Sequence, residues 1–270
     1  MPTVRVNDAE LYYEERGSGP HAIVFVHGFF LSSKIWRASY LSRLPSKYHA
    51  YAIDVRGHGH SSRTTRGCNL FQLADDVYRW SQRLGIARFH YVGVSMGGGV
   101  GIQLALEHPE VLQRLVLMNT VTGFGSVAPR LAVPLLPLMA GRRWLLKRML
   151  RSGFTRPPPD ETIGLLLDDA VLVRRPTCAE WFHPDNRMRH FDRLPDVRVP
   201  TLVMIGGKDN VIPIDRQHRL ADSLPNGQKV VFDDAGHMMA LEIPEEVFGA
   251  MSNFLERRRE ATSRGTRQEM

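Results

Sequence analysis

The chain has 270 residues, of which 43% are hydrophobic and 23% charged, with two cysteines and a formal net charge of +7. That length and balance fit one large globular α/β domain, or one carrying an insertion, and exclude a disulfide-stapled miniprotein or a low-complexity chain. The basic excess is spread along the chain apart from Arg142 to Arg151 and Arg257-Arg258-Arg259. No aromatic residues interleave with it as base stacking requires, so no nucleic-acid partner is expected.

The first residues, Met1-Pro2-Thr3-Val4-Arg5, carry no apolar run of signal-peptide length, and no stretch reaches the ~18 apolar residues of a membrane span. Cys68 and Cys178 lie far apart without metal-ligand spacing and read as free thiols, so a cytoplasmic location is expected. Val4-Val6 and Leu11-Glu15 flank Asn7-Asp8 and read as an opening hairpin. Ala22-Val26 and Ala50-Ile53 follow as apolar strands. Leu70, Leu73, Val77, Trp80 and Leu84 recur at helical spacing, which predicts an amphipathic helix over 70–84. Tyr91-Val94 is a strand running straight into Ser95, with helix over Val100-Glu107 behind it. Leu115-Met118, Thr201-Ile205 and Lys229-Phe232 supply further strands, and a last helix covers Pro244 to Arg258 with proline in its first turn.

This alternation stops between Met118 and Thr201. The stretch holds Pro129, Pro134, Pro137 and the run Pro157-Pro158-Pro159 among apolar helical pieces, and no strand candidate stands out. It reads as a helical cap over 122–194, inserted between core segments 1–121 and 195–258. The polar, basic tail over 259–270 reads as disordered.

Gly93-Val94-Ser95-Met96-Gly97 sits between a strand and a helix, where a sharp turn lifts a serine hydroxyl above the sheet. Such a turn needs residues without side chains two before and two after the serine, and the helix start behind it favours developing negative charge. A phosphate loop would place lysine after the glycines, and none is there. A nucleophilic serine needs a base and a group that orients the base. Of 11 histidines, His237 follows the last strand, and Asp209 follows the strand before it. Both therefore fall on loops at carboxyl ends of strands, where open α/β sheets build their sites. Asp233 and Asp234 are rival acids that more simply end the strand. His27-Gly28-Phe29-Phe30, at the end of another strand, offers the Phe29 N–H beside that of Met96 as the two donors of an oxyanion hole.

Together His27-Gly28-Phe29, Asp54-Val55-Arg56-Gly57-His58-Gly59-His60-Ser61, Gly93-Val94-Ser95-Met96-Gly97-Gly98, Gly206-Gly207-Lys208-Asp209 and Ala235-Gly236-His237 resemble the α/β-hydrolase fold family, in the expected order from residue 3 to about 256. The resemblance implies an α/β fold with a mostly parallel eight-stranded sheet, helices on both faces and an inserted helical cap. A serine nucleophile makes it unlike the epoxide hydrolase and dehalogenase branches, which resemble one another in using aspartate. It further implies a carboxylesterase-like serine hydrolase working on a small-molecule ester, with Ser95, His237 and Asp209 catalytic, Phe29 and Met96 holding the oxyanion, and no metal or organic cofactor. A lactonase, a carbon–carbon bond hydrolase and a ligand-binding receptor of the same fold share these motifs. His58 and His60 lack a third ligand for a metal, and Asp75-Asp76 reads as a salt-bridged or solvated pair on a surface helix. Phe30, Trp144, Trp181 and Met238 are candidate substrate contacts. Trp144, Met139, Met149, Trp181 and Phe182 either line a pocket or form the cap's own core, and Arg142, Arg143, Lys147, Arg148 and Arg151 either bind a substrate carboxylate or face water.

Overall fold

A computed structural model describes residues 2–37, 40–121, 137–156, 158–183 and 190–257. The hairpin is formed by β1 (Thr3–Val6) and β2 (Ala9–Arg16), turned by Asn7 at φ +49°, a left-handed conformation asparagine tolerates. The parallel strands are β3 (His21–Val26), β4 (Tyr48–Ile53), β5 (Phe89–Val94), β6 (Leu112–Met118), β7 (Thr201–Gly206) and β8 (Gly227–Phe232). They lie side by side in the order β1-β2-β4-β3-β5-β6-β7-β8, and pairing is antiparallel only for β1 with β2 and β2 with β4. The expected eight-stranded, mostly parallel sheet is thus present.

Several strands begin earlier than the apolar runs alone indicate. Tyr48-His49 and Leu112-Gln113-Arg114 mix polar with apolar residues because the amino ends of these strands are partly open, whereas Phe89-His90 is obscured by a histidine that is itself buried. A fully covered parallel strand reads as an apolar run, and its partly wet end does not.

Helices α1 (Lys34–Arg37), α2 (Leu70–Arg83) and α3 (Met96–Glu107) belong to the first half of the chain. Asn69 caps α2 by accepting from Gln72 N–H, and its buried stripe of Leu70, Leu73, Val77 and Trp80 is the one the spacing predicts. α3 starts at Met96, earlier than the expected Val100. Glycine is a poor helix former, so the run Gly97-Gly98-Gly99 hides the first turn, which close packing on the sheet holds in place.

Between β6 and β7 come α4 (Arg143–Ser152), α5 (Asp160–Ala170), α6 (Arg175–Trp181) and the short α7 (His190–Arg193). Their attachment to the strand-end loops rests largely on carboxylates. Asp169 on α5, 3% exposed, accepts from Ser32 Oγ and, at 2.8 Å, from Lys34 Nζ. Glu180 on α6 accepts from the N–H groups of Gly67 and Cys68 and from Asn69 Nδ2. Pro129 and Pro134 and the tail over 259–270 lie outside the described residues.

The chain closes with α8 (Ile214–Ser223), α9 (Met239–Glu242) and α10 (Pro244–Glu256). Asp75 is paired with Arg79 on the surface of α2, but Asp76 is 1% exposed and takes two hydrogen bonds from the buried Arg56 guanidinium. The pair is therefore split, half of it buried rather than on the surface.

Candidate active site

The strand order reverses around β3, whose neighbours β4 and β5 lie on opposite sides, and a crevice opens there at the carboxyl ends. β5 delivers Ser95 into this crevice with φ +52° and ψ −113°, which for a residue with a Cβ is strained backbone. Neighbours over-determine that turn. Ser95 N–H donates to Met118 O at 2.9 Å, and Ser95 O accepts from Gly98, Gly99 and Val121 N–H. The two flanking glycines are required by contact. A Cβ at Gly97 would fall 2.3 Å from Val26 O, and one at Gly93 would fall 2.3 Å from Gly97 O.

The loop after β3 approaches the same point, since a Cβ on Gly28 would sit 3.3 Å from Ser95 Cβ. Phe29 follows on that loop, and Met96 opens α3, where first-turn N–H groups have no intrahelical acceptor. His27 braces the loop from behind: its Nδ1 faces Gly28 O at 2.8 Å and its Nε2 accepts from Val55 N–H. Burial holds the His27 ring below the ordinary histidine range, helping to keep Nε2 an acceptor.

Asp209 and His237 arrive on the loops after β7 and β8. His237 Nδ1 lies 3.0 Å from Asp209 Oδ2, with the Asp209 side chain fully buried and that of His237 11% exposed. Asp209 Oδ1 accepts from Val211 and Ile212 N–H at 2.8 and 2.9 Å, and Oδ2 also accepts from Gln217 Nε2 at 3.0 Å. Three donors thus fix the carboxylate and aim it at the imidazole. The rival Asp234 pairs instead with Lys208 at the surface, and that ammonium holds its carboxyl below the usual range.

Two organising residues carry no motif. Gln217 on α8 is fully buried and supplies one of the donors to Asp209. Asn119, directly after β6 and fully buried at φ +43°, donates from Nδ2 to Gly236 O and His237 O and accepts Gly206 N–H on Oδ1. It joins the histidine loop and the end of β7 to the segment that bonds both sides of Ser95. A buried asparagine at a strand's carboxyl end was the available signal for it.

The candidate substrate residues separate into two groups. Phe29 is the hub of an aromatic cluster: Trp181 stacks on it at 5.6 Å, and Phe30, Phe182 and His58 meet it edge-on at 4.7 to 5.2 Å. Met238 is buried beside it in chain order to His237, with its N–H donating to Gly153 O at the end of α4. Trp144 stands apart, 69% exposed, in a shallow groove with Lys147, Asp160 and Leu167. Met139 and Met149 are half-buried against the core. The basic residues of α4 turn outward, Arg143 to Asp168, and Lys147 and Arg151 to Asp160. His58 and His60 diverge, the first buried against His27 and Phe29, the second exposed beside the Tyr12 ring.

Comparison with known proteins adds the context of this geometry. A sequence model of the alpha/beta hydrolase family matches residues 23–250. The chain is 30% identical over 88% of its length to the dihydrolipoyllysine-residue acetyltransferase component of an acetoin cleaving system from Cupriavidus necator, and covers 64% of that relative's length. Among solved structures, an N-acyl homoserine lactone degrading enzyme, Est816, superimposes with a TM-score of 0.82 at 26% identity, covering 94% of this chain and all of that one. A thermophilic esterase from Thermogutta terrifontis superimposes at 0.79 with 26% identity, covering 92% of this chain and 93% of that one.

Proposed function

The chain belongs to the alpha/beta hydrolase family, and on that premise we propose that it is a serine hydrolase of small to medium, largely apolar carboxylic esters, working through Ser95, His237 and Asp209. The observation that carries this reading is the 3.0 Å contact between buried Asp209 and His237, on loops that Asn119 ties to the strained Ser95 turn. In the proposed reaction His237 Nε2 takes the Ser95 hydroxyl proton as Oγ attacks the ester carbonyl. The tetrahedral oxyanion is held by Phe29 and Met96 N–H. His237 then returns the proton to the leaving alkoxide, giving an alcohol and the acyl-enzyme. A water, deprotonated by His237, repeats the sequence and releases the acid, while Asp209 fixes the tautomer and stabilises the imidazolium.

Apolar substrates are favoured by the rings of Phe29, Phe30, Trp181 and Phe182 over the site. Arg143, Lys147 and Arg151 of α4 turn to acids on α5, which leaves them unsuited to a substrate carboxylate. A lactone is the second reading, because it is a cyclic ester opened by the same steps and a structural relative at 26% identity is named as a lactone-degrading enzyme.

Steady hydrolysis of p-nitrophenyl acetate, butyrate and octanoate, abolished in Ser95→Ala, is the expected result, with the chain-length profile measuring the pocket. Turnover of an acyl homoserine lactone in preference to these esters moves the assignment to the second reading. No turnover of either class by folded protein overturns both and leaves a carbon–carbon hydrolase or a ligand receptor.

A further inference from the structure

At the end of the sheet remote from Ser95, the first residues of β3 to β6 open a cavity of about 370 Å³. Its lining carries five basic side chains, His21, Lys47, Arg88, His90 and Arg114, and a single carboxylate, Glu256. The permanent cations are spent unequally. Lys47 meets Glu256 at 2.8 Å in an ion pair that is about half exposed and so weakly bound. Arg114 donates to the carbonyls of Phe254 and Arg257 at the end of α10, which fixes its position. Arg88 donates only to Leu112 O, at 3.3 Å, and has no carboxylate within ion-pair distance among the described residues.

His90 stands in the middle of this set. It is 7% exposed, and its Nδ1 has no hydrogen-bond partner among the described residues. Burial lowers its affinity for a proton, and Arg114, His21, Arg88 and Lys47 lower it further, to a pKa of about 4. None of these groups contributes to the proposed hydrolysis: five residue steps along β5 separate His90 from Ser95, roughly 16 to 17 Å.

We propose that this basic cavity is a binding site for a phosphate group, either inorganic phosphate or the phosphate of a small phosphorylated metabolite. Arg88, with no acid among the described residues, and Lys47, held only in a half-exposed ion pair, leave positive charge for a phosphate to neutralise. A guanidinium fork, an ammonium and an imidazole offer the several convergent donors that phosphate oxygens accept from. The cavity exceeds the volume of the ion itself, and Tyr48 and Leu255 give the remainder an apolar wall for the body of a metabolite.

The test is calorimetric titration of the full chain at low salt with inorganic phosphate and with phenyl phosphate, using benzoate as the monoanion control. Saturable binding of either phosphate, stronger than benzoate and weakened at least about tenfold by Arg88→Gln, is the expected result. Tighter binding of phenyl phosphate assigns the site to a phosphorylated metabolite, and tighter binding of inorganic phosphate assigns it to the free ion. His90→Gln is expected to weaken binding of either phosphate, and its folding is checked independently by ester hydrolysis. Absence of saturable binding, or binding indifferent to Arg88→Gln, overturns the proposal. Since Ser95→Ala leaves this end untouched, its titration separates failure here from failure of the hydrolase assignment.

Discussion

At the carboxyl ends of β7 and β8 the charged groups form a closed set, in which Asp209 is saturated by Val211, Ile212, Gln217 and His237. At the amino ends of β3 to β6, one strand length away, Arg88 has no acid and His90 keeps a nitrogen without a partner among the described residues. The difference teaches how to tell preorganisation from vacancy. A site that acts on a transition state needs its dipoles fixed beforehand, because reorganising them during reaction would raise the barrier. A site that waits for an ion keeps unmatched charge, at some expense in stability, until the ion arrives.

The largest effect expected from breaking the closed set is on turnover. Ser95→Ala or His237→Ala is expected to lower kcat by about 10⁴- to 10⁶-fold, and Asp209→Asn by about 10³- to 10⁴-fold, with little change in Tm. Steady-state kinetics beside thermal melts check this, and turnover retained within tenfold in Ser95→Ala would discard the nucleophile assignment.

Both ends respond to acid, and the sign is the same. Burial pushes His58 down to about 3 and His90 down to about 4, from 6.5. Below about pH 6.5 the unfolded chain takes up protons that the folded chain refuses, so stability is full above that pH and falls toward pH 4. The loss is about 1.4 kcal/mol per pH unit for each histidine. Denaturant unfolding from pH 7 to 4.5 measures the slope. His58→Asn is expected to remove part of it, and added phosphate is expected to reduce only the part that belongs to His90.

A smaller effect sharpens the contrast. Asn119→Ala leaves all three proposed catalytic side chains in the protein but unties their loops, and is expected to lower kcat about 10- to 100-fold with KM little changed. A loss confined to Tm would make Asn119 purely structural. Smallest of all, Arg88→Gln is expected to leave ester turnover within about twofold while weakening phosphate binding at least about tenfold, since its hydrogen bond runs to Leu112 at the amino end of β6.

Legibility in the sequence followed the same division. The buried middles of the strands announced themselves as apolar runs, and the serine turn was readable because Gly93 and Gly97 stand where any side chain would collide with carbonyls. The α8 helix was not readable. Its buried positions include Gln217, a polar residue whose reason for burial is a carboxylate reached only in three dimensions. Asn119 was silent for the same reason. Trp144 looked like a pocket residue on composition, and only the direction of α4 shows it facing water. The basic cavity was invisible because its members come from four strands and the loops before them, spread over nearly a hundred positions, so that no window of sequence contains the cluster.

The bridge made by Asn119 has a consequence for how the protein reaches its active form. It spans 87 positions to Gly206 and 118 to His237, so it closes only after the long stretch between β6 and β7 has been made and the last two strands have docked. Trp36 and Trp80, both fully buried, belong to the first half, where Trp36 meets Phe25 on β3 and Trp80 meets Tyr13 on β2 and Tyr51 on β4 without waiting for that closure. During refolding, indole fluorescence is therefore expected to recover ahead of catalytic competence. On a ribosome, the nascent chain would hold the shaped Ser95 turn well before it held the histidine proposed to deprotonate it.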